Sequence, residues 1–267
     1  MKITKEPNIF VIGKQVFDEK QLQAFLQALG VDWHSQSEKP AEVICETAGR
    51  LCYMSFAKPR PGGTPAYLKH IKEAKHGSVL EHAVWNLLIT GVSRSLTHEL
   101  VRHRAGWSYS QQSQRFVMED EAEYVEPEII ASDPELHALW LQAIQSSHEA
   151  YIKLNQLLSW KLENEEFAKR WLPPNCTQTE RKKIVRQAAR SVLPNATETK
   201  IFVTANARAL RHFLEMRGSR HAEFEIRKLA NKLLDVLVQE SPLLFGDYEK
   251  HALPDGTFEI VTPYTKV

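Results

Sequence analysis

Cysteine is scarce in this chain. Three occur in 267 residues, Cys45, Cys52 and Cys176, widely spaced and with no C-x-x-C pair. That pattern excludes a disulfide framework and a thiolate zinc site, and it suits a reducing compartment. Long apolar runs are missing too. The longest, near Ala83 to Val92, is interrupted by Asn86 and Thr90 and is too short to span a bilayer. The opening MKITKEPNIFVIGKQVF lacks the apolar stretch and small-residue cleavage site of a secretory leader, so a soluble cytoplasmic protein is expected. Neither charge sign is in excess, with 34 Lys and Arg against 33 Asp and Glu. Near-neutrality argues against the broad cationic surface that nucleic-acid binding requires. There is no internal repeat, no low-complexity tract, no G-x-S-x-G and no Walker or Rossmann glycine pattern. Chemistry without an evident protein nucleophile points to a cofactor that carries the hard step.

What is present is ordinary globular material, 43% hydrophobic and 25% charged, enough to bury a sizeable core. The length favours one large domain over residues 1–267. Asn8 to Val16 reads as a strand. Asp18 to Leu29, with Leu22, Phe25, Leu26 and Leu29 on one face, reads as a helix that Gly30 stops. Ala41 to Cys52 is a second helix. Lys58 to Pro65 (KPRPGGTP) is a loop, because its prolines and glycines continue neither regular structure. A helix over Tyr67 to Lys75 meets Gly77, and His82 to Val92 is a strand rich in β-branched and aromatic residues. Ser93 or Ser95 caps a following helix through His103, which then gives way to a loop. Glu119 to Glu126 reads as a solvated acidic connection. Further helices are predicted over Glu135 to Leu162, Glu180 to Leu193, Thr204 to Met216 and Ala222 to Gln239. The tail DGTFEIVTPY suggests an edge strand. Strands early and helices late indicate an α+β fold.

Four stretches carry chemistry. VRHRAGWSYSQQSQRF, Val101 to Phe116, gathers Arg102, Arg104 and Arg115 with no acid to balance them. Arg102, His103 and Arg104 are consecutive, so on a helix they point three ways and suit two ligands or a ligand shared between subunits. Ser113, Gln114 and Arg115 offer a hydroxyl, backbone N–H groups and a guanidinium, a set suited to phosphate. In Glu180 to Leu193, Lys183 and Arg186 fit a solvated face, whereas Arg190 near the helix end can reach a ligand. In NARALRHFLEMR, Arg217 falls on the wheel with Leu210, Phe213 and Leu214. A buried guanidinium needs a partner, so either an acid pairs with it or an anion binds there. Asn206, Arg208, His212 and His221 crowd the same element. In HGSVLEH, His76, Glu81 and His82 lack the H-E-x-x-H spacing and a third ligand, which argues against metal. Ser78 after Gly77 can instead present its hydroxyl to a phosphate.

Together these residues resemble the flavin-dependent thymidylate synthases. The family signature is RHR, seven residues, then Ser, and RHRAGWSYSQQSQRF is similar to it through Arg102, His103, Arg104, Ser113 and Arg115. AGRLCYMSF, HGSVLEH, ARSVLP, TANARAL and FLEMRGSRHAEFEI resemble further family blocks in order, from roughly Ala48 to Ile226. The resemblance implies an α+β domain with a mixed, largely antiparallel sheet against helices, assembled as a homotetramer with shared sites. It implies methylation of dUMP to dTMP, with methylenetetrahydrofolate as carbon donor and NADPH reducing FAD. It places Ser78, Arg102, His103, Arg104, Gln111, Asn206, Arg208, His212 and His221 at FAD. It places Arg102, Gln111, Gln112, Ser113, Gln114, Arg115 and Arg190 at dUMP, with Arg190 from a neighbouring subunit. Arg217 would be catalytic, facing the uracil and favouring ionisation at N3.

The chain departs from the pattern in places. Eight residues, Ala105 to Gln112, separate Arg104 from Ser113. Glu99 stands in the nucleotide-binding set where many members have Gln. A carboxylate there repels a phosphate, so a pair with Arg102 is expected. His212 replaces a common Asn, and Gln111 a common Glu. Two alternatives follow: a methylase acting on UMP as well as dUMP, and a non-catalytic nucleotide-binding protein.

Overall fold

The computed structural model describes residues 2–58 and 60–267. Its strands are β1 (Lys2–Thr4), β2 (Asn8–Lys14), β3 (Val84–Ser93), β4 (Trp107–Gln111), β5 (Glu123–Val125), β6 (Glu198–Asn206), β7 (Glu249–Ala252) and β8 (Phe258–Val261). The longer helices cover Pro40–Cys52, Pro134–Lys161, Gln178–Ala189, Ala207–Arg217 and Phe224–Glu240. The chain forms two compact units. The first comprises Met1–Glu6, Thr90–His98 and Gln111–Ile201, and the second Pro7–Ile89, Glu99–Ser110 and Phe202–Val267.

One sheet has the strand order β2-β3-β6-β4. The Asn206 N–H bonds the Gly106 carbonyl at 3.2 Å, and the Gln112 N–H bonds that of Lys200 at 2.9 Å. One strand advances while the other retreats, so β4 and β6 are antiparallel. Elsewhere β7 and β8 form an antiparallel pair, whereas β1 runs parallel to β5. The result is a mixed α+β fold. Along β3 the residues alternate, and Trp85, Leu87 and Ile89 are buried. Helix Ala207–Arg217 buries Leu210, Phe213 and Leu214, and helix Phe224–Glu240 buries Ile226, Leu229, Leu233 and Leu237. Each such side chain contributes about 1.5–3 kcal/mol on leaving water.

The second unit also buries charge. Arg211 Nη1 and Nη2 donate to the two Asp247 carboxylate oxygens at 2.8 Å each, and Lys72 Nζ donates to Oδ1 at 2.6 Å. Leu244 and Leu243 carbonyls take further bonds from Arg211 and Lys72. Burial opposes ionisation of Asp247, yet Arg211 and Lys72 outweigh it and hold the carboxyl below its ordinary range.

In the first unit, helix Pro134–Lys161 starts where Asp133 accepts from the Glu135 and Leu136 N–H groups, with Pro134 in the first turn. It contacts helix Gln178–Ala189, which opens on a capping box between Thr177 and Glu180. Among the described residues no helix is long and apolar enough to cross a membrane.

Several expectations shift. The helix predicted from Thr204 starts at Ala207, because Thr204 to Asn206 complete β6, a strand the sequence reading did not separate. The stretch after RHR was expected as loop, and Trp107–Gln111 is strand β4. The helix expected to reach His103 ends at Leu100. The helix from Glu180 gives way at Arg190 to a 3-10 turn. The expected edge strand pairs instead within its own hairpin, β7-β8. Of the loop Lys58 to Pro65, Pro59 lies outside the described residues and helix Gly63–Glu73 starts within it.

Removing Asp247 leaves two buried cations without their counter-ion. Asp247→Ala should lower the unfolding free energy by about 3–5 kcal/mol. A denaturant titration with an unchanged midpoint would show that Lys72 and Arg211 are satisfied without it.

Candidate active site

In the second unit the chemistry gathers around the turn that carries RHR. Arg217, the last residue of its helix, donates from Nε to His103 Nε2 at 3.0 Å and from Nη1 to Glu99 Oε2 at 2.6 Å. The sequence left two partners open for Arg217, and an acid takes the place. That acid is Glu99, so the expected Glu99–Arg102 pair is corrected: the carboxylate turns to a guanidinium brought in from a distant helix. The Arg217 side chain keeps 21% of its exposure.

His103 accepts through Nε2, which assigns the proton of the neutral ring to Nδ1. Burial, then the Arg217 charge and then His212, bring its pKa down to about 4. Its ring lies 5.2 Å from that of Phe213 and 6.1 Å from that of Trp107. Tyr109 donates its hydroxyl to the carbonyls of Leu100 and His103, at 2.8 and 2.6 Å, and stacks on Trp107. Sequence reasoning missed this aromatic support. The alternation Trp107, Tyr109 in W-S-Y was the available signal, since period two puts both on one strand face.

Beside this cluster lies a cavity of about 350 Å³ lined by Glu81, Ala105, Gly106, Asn206, Arg208 and His212, among others. Asn206 caps its helix through Oδ1, bonded to the Ala209 N–H at 2.9 Å, which leaves the amide nitrogen at the cavity. Gly106 has φ +74°, and a Cβ there would stand 2.6 Å from that nitrogen. Arg208 spans from Glu81, 2.6 Å away, to the Val267 main-chain oxygen at 3.2 Å. A helix start, an amide donor and a guanidinium form a cradle suited to an anionic, hydrogen-bonding cofactor. The structure therefore brings Asn206, Arg208 and His212 together. Ser78, Arg102 and Arg104 are exposed, outside that lining. His221 is exposed in the turn after Gly218, with its N–H on the Ser219 hydroxyl.

The first unit holds the other set. Ser113 opens a turn in which its carbonyl accepts from the Phe116 and Val117 N–H groups. Gln114 is buried with its side chain at the buried Glu119 carboxyl, which it helps to hold ionised, while Arg115 Nε is buried without a partner among the described residues. Gln111 donates to Thr97 and Thr199. Arg94, which sequence reasoning passed over, donates to the Gln112 carbonyl at 2.9 Å and leaves a buried, unpartnered Nε. Burial lowers the Arg94 pKa first, with Glu119 opposing and Arg190 adding to the shift, so Arg190 stands close by in the same unit. Buried donors left without acceptors are what an incoming anion satisfies. The expected solvated face at Lys183 and Arg186 is also corrected. Arg186 donates to the Phe116 carbonyl at 2.5 Å, and Lys183 sits 4.9 Å over the Phe116 ring.

The α+β scaffold resembles that of a UMP/dUMP methylase, PolB from Streptomyces cacaoi, solved with 5-Br dUMP. The TM-score is 0.62 at 18% identity, covering 92% of this chain and 96% of that one. The profile of the family described as thymidylate synthase complementing protein matches residues 35–243. A protein of Corynebacterium efficiens named flavin-dependent thymidylate synthase is 47% identical over 243 residues, 90% of this chain and 92% of that protein. One of the same name from Mycobacterium sp. (strain JLS) is 48% identical over 235 residues, 87% of this chain and 89% of that one. This chain belongs to the thymidylate synthase complementing protein family.

The neutral state of His103 sets a pH dependence. The unfolded ring takes up a proton near its ordinary 6.5, and the folded ring only near 4. Between these values the unfolded chain binds more protons, so stability falls as pH drops through that window. His103→Gln should flatten this part of a stability-against-pH curve, and an unaltered slope would assign it to other groups.

Proposed function

We propose that this chain is a flavin-dependent thymidylate synthase that methylates dUMP to dTMP. FAD is its cofactor, with methylenetetrahydrofolate as carbon donor and NADPH as reductant. The whole chain, 1–267, works as one such domain, in a cytoplasmic homotetramer with shared sites. The observation that carries the reading is Arg217, half-buried and held by Glu99 and His103, with no partner for Nη2 among the described residues. A fixed guanidinium beside a pyrimidine stabilises negative charge developing at N3. His103 is neutral at working pH and adds no competing charge.

The donors at the cavity, Asn206, Arg208 and His212, fit a flavin, and Ser78, Arg102, His103, Arg104, Gln111 and His221 complete its site in the assembly. When bound, the flavin supplies the redox chemistry for which the chain has no group of its own. Ser113, Gln114, Arg115 and Arg190 hold the nucleotide phosphate, and Gln112 and Arg102 complete the nucleotide-binding set in the assembly. The orphaned Arg115 Nε supports this assignment. Arg94 steadies the turn through the Gln112 carbonyl. A second reading, in which UMP is also a substrate, draws on the likeness to the Streptomyces methylase and on the extra residue before Ser113.

The visible spectrum of the purified protein tests the reading, recorded before and after dUMP. A flavin spectrum that responds to dUMP, followed by dTMP formation with the folate and NADPH, is expected. No flavin after incubation with FAD would leave a nucleotide-binding protein only. Turnover of UMP in preference to dUMP would reassign the substrate. Arg217→Ala should abolish methylation with flavin retained. Arg190→Ala should weaken dUMP binding by about 1.5–3 kcal/mol, roughly tenfold to 150-fold in Kd. Unchanged affinity would remove Arg190 from the phosphate site.

A further inference from the structure

We infer that Glu99 is a positioning residue for Arg217 and that it also tempers the charge Arg217 presents to the pyrimidine. The inference rests on the reading of Arg217 as the group facing the pyrimidine. It reassigns Glu99, which the sequence placed among nucleotide contacts, to the other side of the guanidinium.

The geometry is that of a clamp. Glu99 is the penultimate residue of helix Arg94–Leu100 and Arg217 is the last of helix Ala207–Arg217, and both residues lie in the second unit. Arg217 is followed by Gly218, so no further helical turn restrains it. An arginine in that position has four flexible side-chain torsions, and its guanidinium plane stays undefined unless something holds it. Two acceptors do so. His103 Nε2 takes the Nε–H at 3.0 Å and Glu99 Oε2 takes an Nη1 N–H at 2.6 Å. Two bonds from different corners of a planar group fix its plane and its rotation in that plane. The remaining corner, Nη2, is then aimed rather than searching.

The two acceptors differ in charge. His103 is neutral, so it contributes direction without changing the charge of the site. Glu99 contributes direction and a full negative charge. The carboxylate side chain is 36% exposed, so water screens part of that charge. What remains opposes formation of a second anion on the same guanidinium, because like charges near one cation repel. A Gln at this position would keep an acceptor oxygen for Nη1 and lose the charge. Position and charge are therefore separable by substitution. The same carboxylate does not suit phosphate binding, since it accepts hydrogen bonds and cannot donate them.

The test uses the holoenzyme, with Glu99→Ala and Glu99→Gln compared to the parent. Bound flavin and the thermal midpoint report folding, and the near-isosteric Gln variant covers a failure of the Ala variant to fold. The probes are dUMP, for affinity and turnover, and 5-fluoro-dUMP, whose ultraviolet absorbance reports N3 ionisation while bound. Glu99→Ala should lower kcat about 10–100-fold, the scale of a misplaced catalytic group, with dUMP Kd within about threefold of the parent. Glu99→Gln should recover most of kcat and lower the N3 pKa of bound 5-fluoro-dUMP by about one unit. Parental kcat in Glu99→Ala, or an N3 pKa unmoved in Glu99→Gln, would overturn the inference. So would a matching loss of dUMP affinity in both variants, which would make Glu99 a nucleotide contact. A parent that binds flavin but neither nucleotide would remove the functional reading, and this inference with it.

Discussion

A guanidinium withdrawn from water must be met by acceptors, and that requirement organises the second unit. Arg50, Arg211 and Arg227 are all buried there. Arg50 is met by Glu46 and the Ser55 carbonyl, between the rings of Trp33 and Tyr67. Arg211 is met by Asp247 and two carbonyls. Arg227 is met by Thr257, Asp255 and the carbonyls of Arg220 and Ala222. The Arg211 and Arg227 sets tie segments distant in sequence, whereas Arg50 finds its acceptors within five residues. Losing one acceptor strands a charge, which is why such pairs specify an arrangement even where they add little net stability.

Arg217 follows the same rule but is only partly met. Glu99 and His103 use two of its corners, and the guanidinium keeps access to solvent. The first unit shows the rule from the other side. Arg94 and Arg115 carry buried Nε atoms with no acceptor among the described residues. In a core such atoms cost about 1–3 kcal/mol each; in a binding site they are donors waiting for a ligand. Arg211 Nε is likewise buried without a partner, but its two Nη groups are met by Asp247 and two carbonyls. Catalysis on this reading draws on preorganisation: a neutral histidine, a helix end and an aromatic bed hold the charge in place before substrate arrives.

Much of this was legible in the sequence. The spacing of Leu210, Phe213 and Leu214 marked the helix that carries Arg217, and the wheel put that arginine on the apolar side. The acid-free run from Arg102 to Arg115 pointed to an anionic ligand as an expectation. The ordered blocks from Ala48 to Ile226 were enough to indicate the family. Other features were harder to read because local and tertiary signals compete. Thr204 to Asn206 sit between a strand pattern and a helix, and the sheet claimed them. Trp107 to Gln111 looked like a loop because polar residues alternate with the rings of Trp107 and Tyr109, and only a neighbouring strand turns that alternation into a pleat.

The sequence by itself determined the residue types, their local periodicities and the identity of the chemical groups. These depend on neighbours within a turn or two of chain, where spacing translates directly into a shared face. It also determined that Arg217 would need a partner, since desolvation is a property of the group. Which partner it found was decided by tertiary structure alone. Glu99 stood three residues from Arg102, the nearer cation along the chain, and paired instead with Arg217 because two helix ends are brought together. No periodicity encodes that meeting: it is set by the packing of one helix end against another, and contact at such separation exists only once the core has formed.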